Sequence, residues 1–203
     1  MLLALVTALV LIVRQSGLWT KPENPPPAKE TELIQSLIDK LKGKDCDLED
    51  LAYPWGLPEE IVALGAFLPS HSTLISASLT QSGEPIHRLW DLYIHGFAGD
   101  LEYVQTQIAK EKDARVQLFA YDLISTKGSS QVIWITKQDP HFFMCIKQNI
   151  FHSNEWIRWR TLMLWKRVPI EKNTEEGKKL VNWVVENDPS ERNVRVAERI
   201  SQQ

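Results

Sequence analysis

Residues 155–167 read EWIRWRTLMLWKR, and this stretch decides the fold class. At about 100° per residue around a helix, its apolar side chains fall on nearly every side. A helix that is apolar all round is buried by neighbours on several sides, so other helices must surround it. Ser153 or Asn154 is the expected N-cap, and Pro169 ends the helix. The apolar residues are Trp156, Ile157, Trp159, Leu162, Met163, Leu164, Trp165 and Val168.

Helix signals follow one another on both sides of this stretch. Asp100 and Asp113 are expected N-caps, and Pro69 is expected to stop a helix that begins at Pro58. Residues 132–136, VIWIT, also suit a strand. The chain is therefore predicted to be all-α, with short helices in antiparallel pairs. The other helices are predicted over Lys29–Lys42, Ile86–Phe97, Leu101–Lys112, Ala114–Ser125, His141–Phe151, Glu175–Glu186 and Ser190–Ser201.

Three of these helices share a short pattern, in which an arginine follows a small or apolar residue and precedes an apolar run. The arginines are Arg115, Arg158 and Arg195, and Asp113 precedes the first. Their separation is close to the period of two-helix repeats. The pattern resembles the second helix of HEAT-type repeats and covers at most residues 85–201. The resemblance implies an α–α superhelix that binds a partner and catalyses no reaction; another α-helical bundle is the alternative fold.

The amino terminus is the least globular part of the chain. Leu2–Val13 is an unbroken apolar run, but twelve residues of helix rise only about 18 Å against a hydrocarbon core of roughly 30 Å. Extended to Trp19, the helix covers about 27 Å, with Arg14 reaching the headgroups and Trp19 at the interface. No basic residue precedes the run and no small-residue cleavage site follows it, so residues 1–20 are predicted to be an uncleaved anchor. A cleaved signal peptide is the alternative.

Behind the anchor, residues 21–28 read KPENPPPA, which is typical of a semi-rigid polyproline spacer. Residues 29–203 then form the predicted helical domain. Arg14, Lys21 and Lys29 follow the apolar run, so the positive-inside rule favours a single-pass protein with a cytoplasmic body. A periplasmic or extracellular body stays open.

Charge adds one candidate surface. The net charge of −3 gives no overall attraction to nucleic acid, and none is expected as a partner. Basic residues nevertheless outnumber acidic ones between Pro140 and Ile170, and they form a candidate basic edge for an acidic partner or anionic lipid. The alternative is that they pair with acidic faces of neighbouring helices. The edge comprises Arg158, Arg160, Lys166 and Arg167.

One constellation has residue types that bind metals. His87, Asp91 and His95 recur at every fourth position of a predicted helix, so all three lie on one face and are candidate ligands of a divalent metal. A polar stripe opposite the apolar face is the simpler interpretation. No Gly-rich phosphate loop or nucleophile elbow occurs, no cofactor is expected, and Cys46 and Cys145 are expected to be free thiols.

These features predict a membrane-anchored helical scaffold that binds membrane lipid through its first helix and a protein partner through its body, without catalysis. Two alternatives remain: a membrane-bound metal-dependent enzyme that uses His87, Asp91 and His95, and a secreted helical protein whose signal peptide is cleaved.

Overall fold

The computed structural model describes residues 27–52, 58–128, 135, 141–168 and 174–202. These residues form ten α-helices and no strand, so the all-α prediction is confirmed for them. The VIWIT segment lies outside the described residues apart from Ile135. The helices are α1 (Pro27–Lys42), α2 (Glu59–Gly65), α3 (Leu68–Thr80), α4 (Pro85–Ala98), α5 (Leu101–Ile108), α6 (Ala114–Ser125), α7 (Phe142–Asn149), α8 (Glu155–Arg167), α9 (Glu175–Asn187) and α10 (Glu191–Ser201), with a 3₁₀ turn at Asp50–Ala52.

The chain divides into two compact units, residues 1–36 and 37–203, and the boundary falls inside α1. Of the first unit the structure describes residues 27–36, all of them helical. In the second unit, Ile38 and Leu41 of α1 are buried, and Lys42 Nζ donates to the Ser78 carbonyl at 2.7 Å. The anchor prediction, residues 2–19, falls outside the described residues. Among the helices that are described, none combines the length and the apolar character needed to cross a bilayer.

Three predicted N-caps are confirmed. The side chains of Asp113, Asn154 and Asp100 accept backbone N–H groups at the start of α6, α8 and α5, with donor–acceptor distances of 2.9, 2.8 and 3.2 Å. Each bond satisfies a donor that has no partner inside the helix. These three helices therefore begin where a short polar side chain precedes an apolar run.

The expected effect of Pro69 is wrong. The helix after Pro58 ends at Gly65, and Pro69 is the second residue of the next helix, α3, which extends to Thr80. A proline is tolerated in a first turn because its missing N–H would have no helical acceptor there. The Ser- and Thr-containing residues 70–80, which follow Pro69, therefore belong to α3.

The predicted burial of α8 is confirmed. This helix contacts α6, α7, α10 and the 3₁₀ turn. Ile157, Leu162, Leu164 and Trp165 are buried, whereas Trp156 and Trp159 are half-buried. Neighbours on several sides therefore cover its apolar circumference.

Alternate helices pack in series: α4 contacts α6, α6 contacts α8, and α8 contacts α10. The intervening helices α5, α7 and α9 each contact the helix that follows, and α3 contacts α4. Gly96 allows close approach of α4 and α6, because a Cβ at this position would overlap Cδ2 of Leu123. A larger residue at this position would therefore require the Leu123 side chain to shift.

Candidate functional site

The three predicted metal ligands all lie on α4, but they have different surroundings. Asp91 and His95 are both 2% exposed, and His95 Nε2 lies 3.7 Å from Asp91 Oδ1. His87 is half-buried; its Nδ1 lies 2.7 Å from Ser82 Oγ and its ring contacts Trp90. Burial, with a smaller contribution from Lys42, lowers the pKa of His87. The structure thus brings Asp91 and His95 together, and places His87 against Ser82.

Asp91 and His95 are the buried members of a polar cluster between α3, α4 and α5, which we call the α3–α5 polar cluster. Asp91 accepts from Ser76 Oγ at 2.7 Å and from the Tyr103 hydroxyl at 2.6 Å. His95 Nε2 lies 3.0 Å from Ser76 Oγ, and its Nδ1 lies 2.9 Å from Asp100 Oδ2. The His95 and Tyr103 rings stack with centroids 3.7 Å apart. No group of three His, Cys, Asp or Glu side chains suited to a metal occurs in the part of the chain that the structure describes, and the metal site stays a prediction.

The contacts of Ser76, His95 and Asp100 follow the order nucleophile, base and carboxylate found in acyl-transfer sites. Two observations argue against that chemistry. Ser76 has one hydroxyl proton, and Asp91 accepts it at 2.7 Å, in competition with His95. The neighbouring cavity is lined by Asp91 and Tyr103, and neither Ser76 nor His95 borders it. A substrate in this cavity would therefore meet the carboxylate and the phenol rather than the serine. The arrangement favours a structural junction of three helices.

This cavity has a volume of about 330 Å³ and lies beside α4 and α5. Arg88 and Glu111, both in its lining, form a two-bond ion pair, Nε–Oε2 at 2.8 Å and Nη2–Oε1 at 3.0 Å. Burial alone would raise the pKa of Glu111, but hydrogen bonds from Arg88 and from two backbone N–H groups outweigh it and hold this pKa below its ordinary value. The carboxylate is therefore ionised and committed to Arg88. Periodicity does not reveal Ser76, Tyr103 or the Arg88–Glu111 pair, because their partners lie on other helices.

The residues of the predicted basic edge are mostly paired with acidic side chains. Arg158 is 6% exposed and binds Asp188 through two hydrogen bonds of 2.7 and 3.0 Å. Its Nη1 also donates to the carbonyls of His152 and Ser153. The Arg158 guanidinium thus joins the start of α8 to the loop between α9 and α10.

Arg160 and Arg167 both bind one carboxylate on α6. The distances to the two oxygens of Asp122 are 2.8 and 2.7 Å. Arg160 also donates to the Leu51 carbonyl, and its guanidinium lies over the Phe119 ring. These side chains fix α8 against α6.

A second concave surface lies along α10, and we call it the α10 groove. Its volume is about 480 Å³. Arg192, Arg195 and Arg199 line it together with the carboxylate residues Glu155 and Glu191, and Ser190 and Val196 complete the lining. Of its arginines, the sequence pattern singled out only Arg195. The sequence signal for the other two is the recurrence of arginine at i, i+3 and i+7, which places all three side chains on one face of an amphipathic helix.

Neither Cys46 nor Cys145 forms a disulfide. Cys145 is buried in α7, where its sulfur lies 3.5 Å from the Asn149 amide nitrogen and 3.5 Å from the Ala114 carbonyl oxygen. In this environment the thiol packs α7 against α6.

The chain matches no family model, no curated protein and no solved structure.

Proposed function

We propose that this protein is a membrane-tethered helical-repeat scaffold that binds a protein partner and has no catalysis of its own. The observation that carries the proposal is the serial packing of α4, α6, α8 and α10, each against the next. Repeat proteins are built in this way, with each unit in contact with its neighbours, and they present long surfaces to partners.

The arginine pattern agrees with a repeat of two helices. Arg115, Arg158 and Arg195 lie on α6, α8 and α10, the alternate helices that contact one another in series. The side chains differ in environment, since Arg115 binds its own N-cap Asp113, Arg158 is buried and Arg195 is exposed. The HEAT-like assignment therefore rests on the position of the pattern rather than on a shared contact.

Exposed aromatic rings support a protein partner. Phe151 and Trp183 form an edge-to-face pair with centroids 4.6 Å apart, and they are 50% and 36% exposed. Met144 of α7 is also exposed. Aromatic and methionine side chains are enriched at protein interfaces, so the Phe151–Trp183 pair is a suitable contact region.

The membrane tether is proposed from residues 2–19 and the proline-rich spacer that follows them. Alkaline extraction of membranes from cells that express the full-length chain tests the tether. We expect the chain to stay in the membrane pellet and to be released when residues 2–19 are deleted. Intact mass of the purified chain separates this proposal from the secreted alternative, because a missing amino terminus would show cleavage.

Position-specific photo-crosslinking tests partner binding. Benzoylphenylalanine replaces Trp183 in the full-length protein, and the control replaces Glu102, an exposed residue of α5. We expect one discrete heavier product from position 183, and none or a different one from position 102. The scaffold proposal fails if no exposed position along α5, α7, α9 and α10 yields a product.

A further inference from the structure

We propose that the α10 groove is the docking site for an acidic helical segment of the protein partner. The inference rests on the proposed function and adds the chemistry of the partner. It is carried by three arginines of α10 that line a single groove, of which Arg192 and Arg199 form no ion pair with a carboxylate in the part of the chain that the structure describes.

The spacing of the arginines matches a helix. Arg192 and Arg199 are seven residues apart on α10, and Arg195 lies between them on the same groove wall. Seven residues of helix rise about 10 Å. A partner helix with carboxylates three or four residues apart presents charges at the same interval. Each guanidinium can then bind a carboxylate through two parallel hydrogen bonds.

The groove is held in shape by buried contacts beneath it. Asn193 of α10 is fully buried, and its amide donates to the Glu155 carbonyl at 3.2 Å and to Asp188 at 3.1 Å. Asp188 in turn binds Arg158, so α8 and α10 are fixed to the loop that joins α9 to α10. On the surface, the Arg192 guanidinium lies over the Trp156 ring, 4.1 Å from its centroid. Little ordering of the backbone is therefore needed when a ligand binds.

The arginines of the groove are available to bind carboxylates of a partner. Arg195 contacts Glu191 four residues earlier, but both side chains are strongly exposed, 66% and 79%, so this ion pair is weak in water. Within the described ranges, neither Arg192 nor Arg199 forms an ion pair with an acidic side chain. By contrast, the arginines of α8, namely Arg158, Arg160 and Arg167, are bound to aspartates.

A membrane surface fits the groove less well than a peptide does. Glu155 and Glu191 line the same groove and would face anionic headgroups. A flat layer of negative charge meets all five charged side chains together, whereas a helix can place carboxylates against the arginines alone. Selective pairing of this kind favours an acidic polypeptide.

Peptide binding to the full-length protein in detergent tests the inference. The probe is a fluorescent alanine-rich helical peptide with glutamates along one face, and glutamines replace the glutamates in its control. We expect the glutamate peptide to bind and its affinity to fall when NaCl is raised from about 50 mM to about 500 mM. The triple variant R192E/R195E/R199E should weaken binding by at least about tenfold.

A matched triple variant shows whether the effect is local. K40E/K178E/K179E makes the same change in net charge at exposed lysines of α1 and α9, and its affinity should stay within about twofold of wild type. Equal losses in the two triple variants, or binding of the glutamine peptide as tightly as the glutamate peptide, would overturn the inference. If the charge-reversed protein does not fold, judged by circular dichroism, R192A/R195A/R199A replaces it with the same expected direction.

Two further outcomes separate the competing explanations. Unlabelled glutamate peptide should displace the probe, whereas monomeric short-chain phosphatidylserine at equal charge should not. Stronger displacement by the lipid than by the peptide would overturn the inference in favour of a membrane surface. A crosslinked partner at position 183 without acidic-peptide binding would reject the docking site and leave the scaffold proposal standing. Peptide binding without any crosslinked partner would reject the scaffold proposal and leave the α10 groove only as a site that binds acidic peptides.

Discussion

Arg158 and Asp188 form a buried ion pair in which Nε and Nη2 donate to the two carboxylate oxygens at 2.7 and 3.0 Å. Their side chains are 8% and 0% exposed. Two carbonyls accept from the remaining nitrogen of the guanidinium, and Asn193 donates to the carboxylate. A buried charge pair of this kind contributes to stability only when all its hydrogen bonds are made, as they are here for the Asp188 oxygens.

Removal of one partner should therefore destabilise the fold strongly. We expect Arg158→Met to lower the free energy of unfolding by about 3–5 kcal/mol, because Asp188 is left as an uncompensated buried charge. The double variant R158M/D188L should recover most of this loss. Urea denaturation followed by circular dichroism gives the three values. Arg195→Met, at an exposed ion pair, is the control and should cost less than about 1 kcal/mol; an equal cost at the two positions would contradict this account.

The Arg158–Asp188 pair also predicts that the stability of the fold depends on pH. Burial alone would raise the pKa of Asp188, but hydrogen bonds from Arg158, from the Ser190 N–H and from Asn193 outweigh it and lower this pKa below its ordinary value. The folded state then binds fewer protons than the unfolded state, whose aspartates titrate near pKa 3.9. The stabilisation is complete above about pH 5 and is lost as the pH falls through the lowered pKa.

Stability measured between about pH 6 and pH 3 tests that dependence. The free energy of unfolding should fall more steeply with acid in the wild type than in R158M/D188L, whose aspartate is absent. Parallel curves would mean that Asp188 is not the responsible group, since Glu111 and Asp113, whose pKa values are also lowered, are unchanged in the variant.

These contacts show which features the sequence can predict and which it cannot. The caps at Asp113 and Asn154 are local, since each side chain binds an N–H two residues ahead, and both were predicted. Asp188 is 30 residues from Arg158, and no pattern near either residue indicates the other. Arg158 and Arg195 have similar neighbours in sequence, yet one is buried and the other exposed. The reason is packing, since α8 contacts α6, α7 and α10, whereas α10 contacts α8 and α9. Periodicity predicts most helix positions, with the stop expected at Pro69 as an exception, while the candidate sites depend on packing.

The crossing of α4 and α6 at Gly96 gives a prediction about packing. A Cβ at this position would overlap Leu123 Cδ2, and Leu123 is itself 8% exposed. Gly96→Ala should therefore lower the free energy of unfolding by about 1–3 kcal/mol through overpacking. Thermal or urea unfolding of the purified variant measures this effect.

A double-mutant cycle provides the control. Leu123→Ala alone leaves a cavity and should cost about 2–5 kcal/mol. Adding Gly96→Ala to that variant should cost less than it does in the wild type, because the overlapping methyl group is gone. Strictly additive losses would show that the two residues do not limit the approach of the helices.

The Tyr103 phenol of the α3–α5 polar cluster is expected to make the stability of the protein depend on pH in the alkaline range. Burial first, and then the hydrogen bond to Asp91, raises the pKa of this phenol well above its ordinary value of about 10. The folded state thus keeps a proton that the unfolded state releases, so stability is complete below about pH 10 and falls as the pH rises further. In Tyr103→Phe the free energy of unfolding should depend less on pH above 10, whereas its value at neutral pH should drop by about 1–3 kcal/mol because an Asp91 oxygen loses its donor.

Absorbance at alkaline pH provides an independent measurement of the same phenol. Burial also raises the pKa of Tyr93, so Tyr93 and Tyr103 should both ionise together with unfolding rather than before it. Tyr103→Phe should remove one of these late-titrating phenols, and Tyr93→Phe, the matched control, should remove the other without disturbing Asp91. A Tyr103 phenol that ionises in the folded protein near its ordinary pKa would contradict the hydrogen bond to Asp91.

Metal content decides between the scaffold and the metal-dependent enzyme. Asp91 already accepts two hydrogen bonds, His95 contacts Ser76 and Asp100, and His87 lies against Ser82. A metal at these residues would have to displace those contacts, so we expect the full-length protein, purified without chelator, to contain much less than one zinc or iron per chain. Elemental analysis by mass spectrometry measures the content, with His71→Ala, an exchange on the neighbouring helix α3, as the matched control for His87→Ala. A stoichiometric metal that is retained in His71→Ala and lost in His87→Ala would establish the metal site and favour the enzyme.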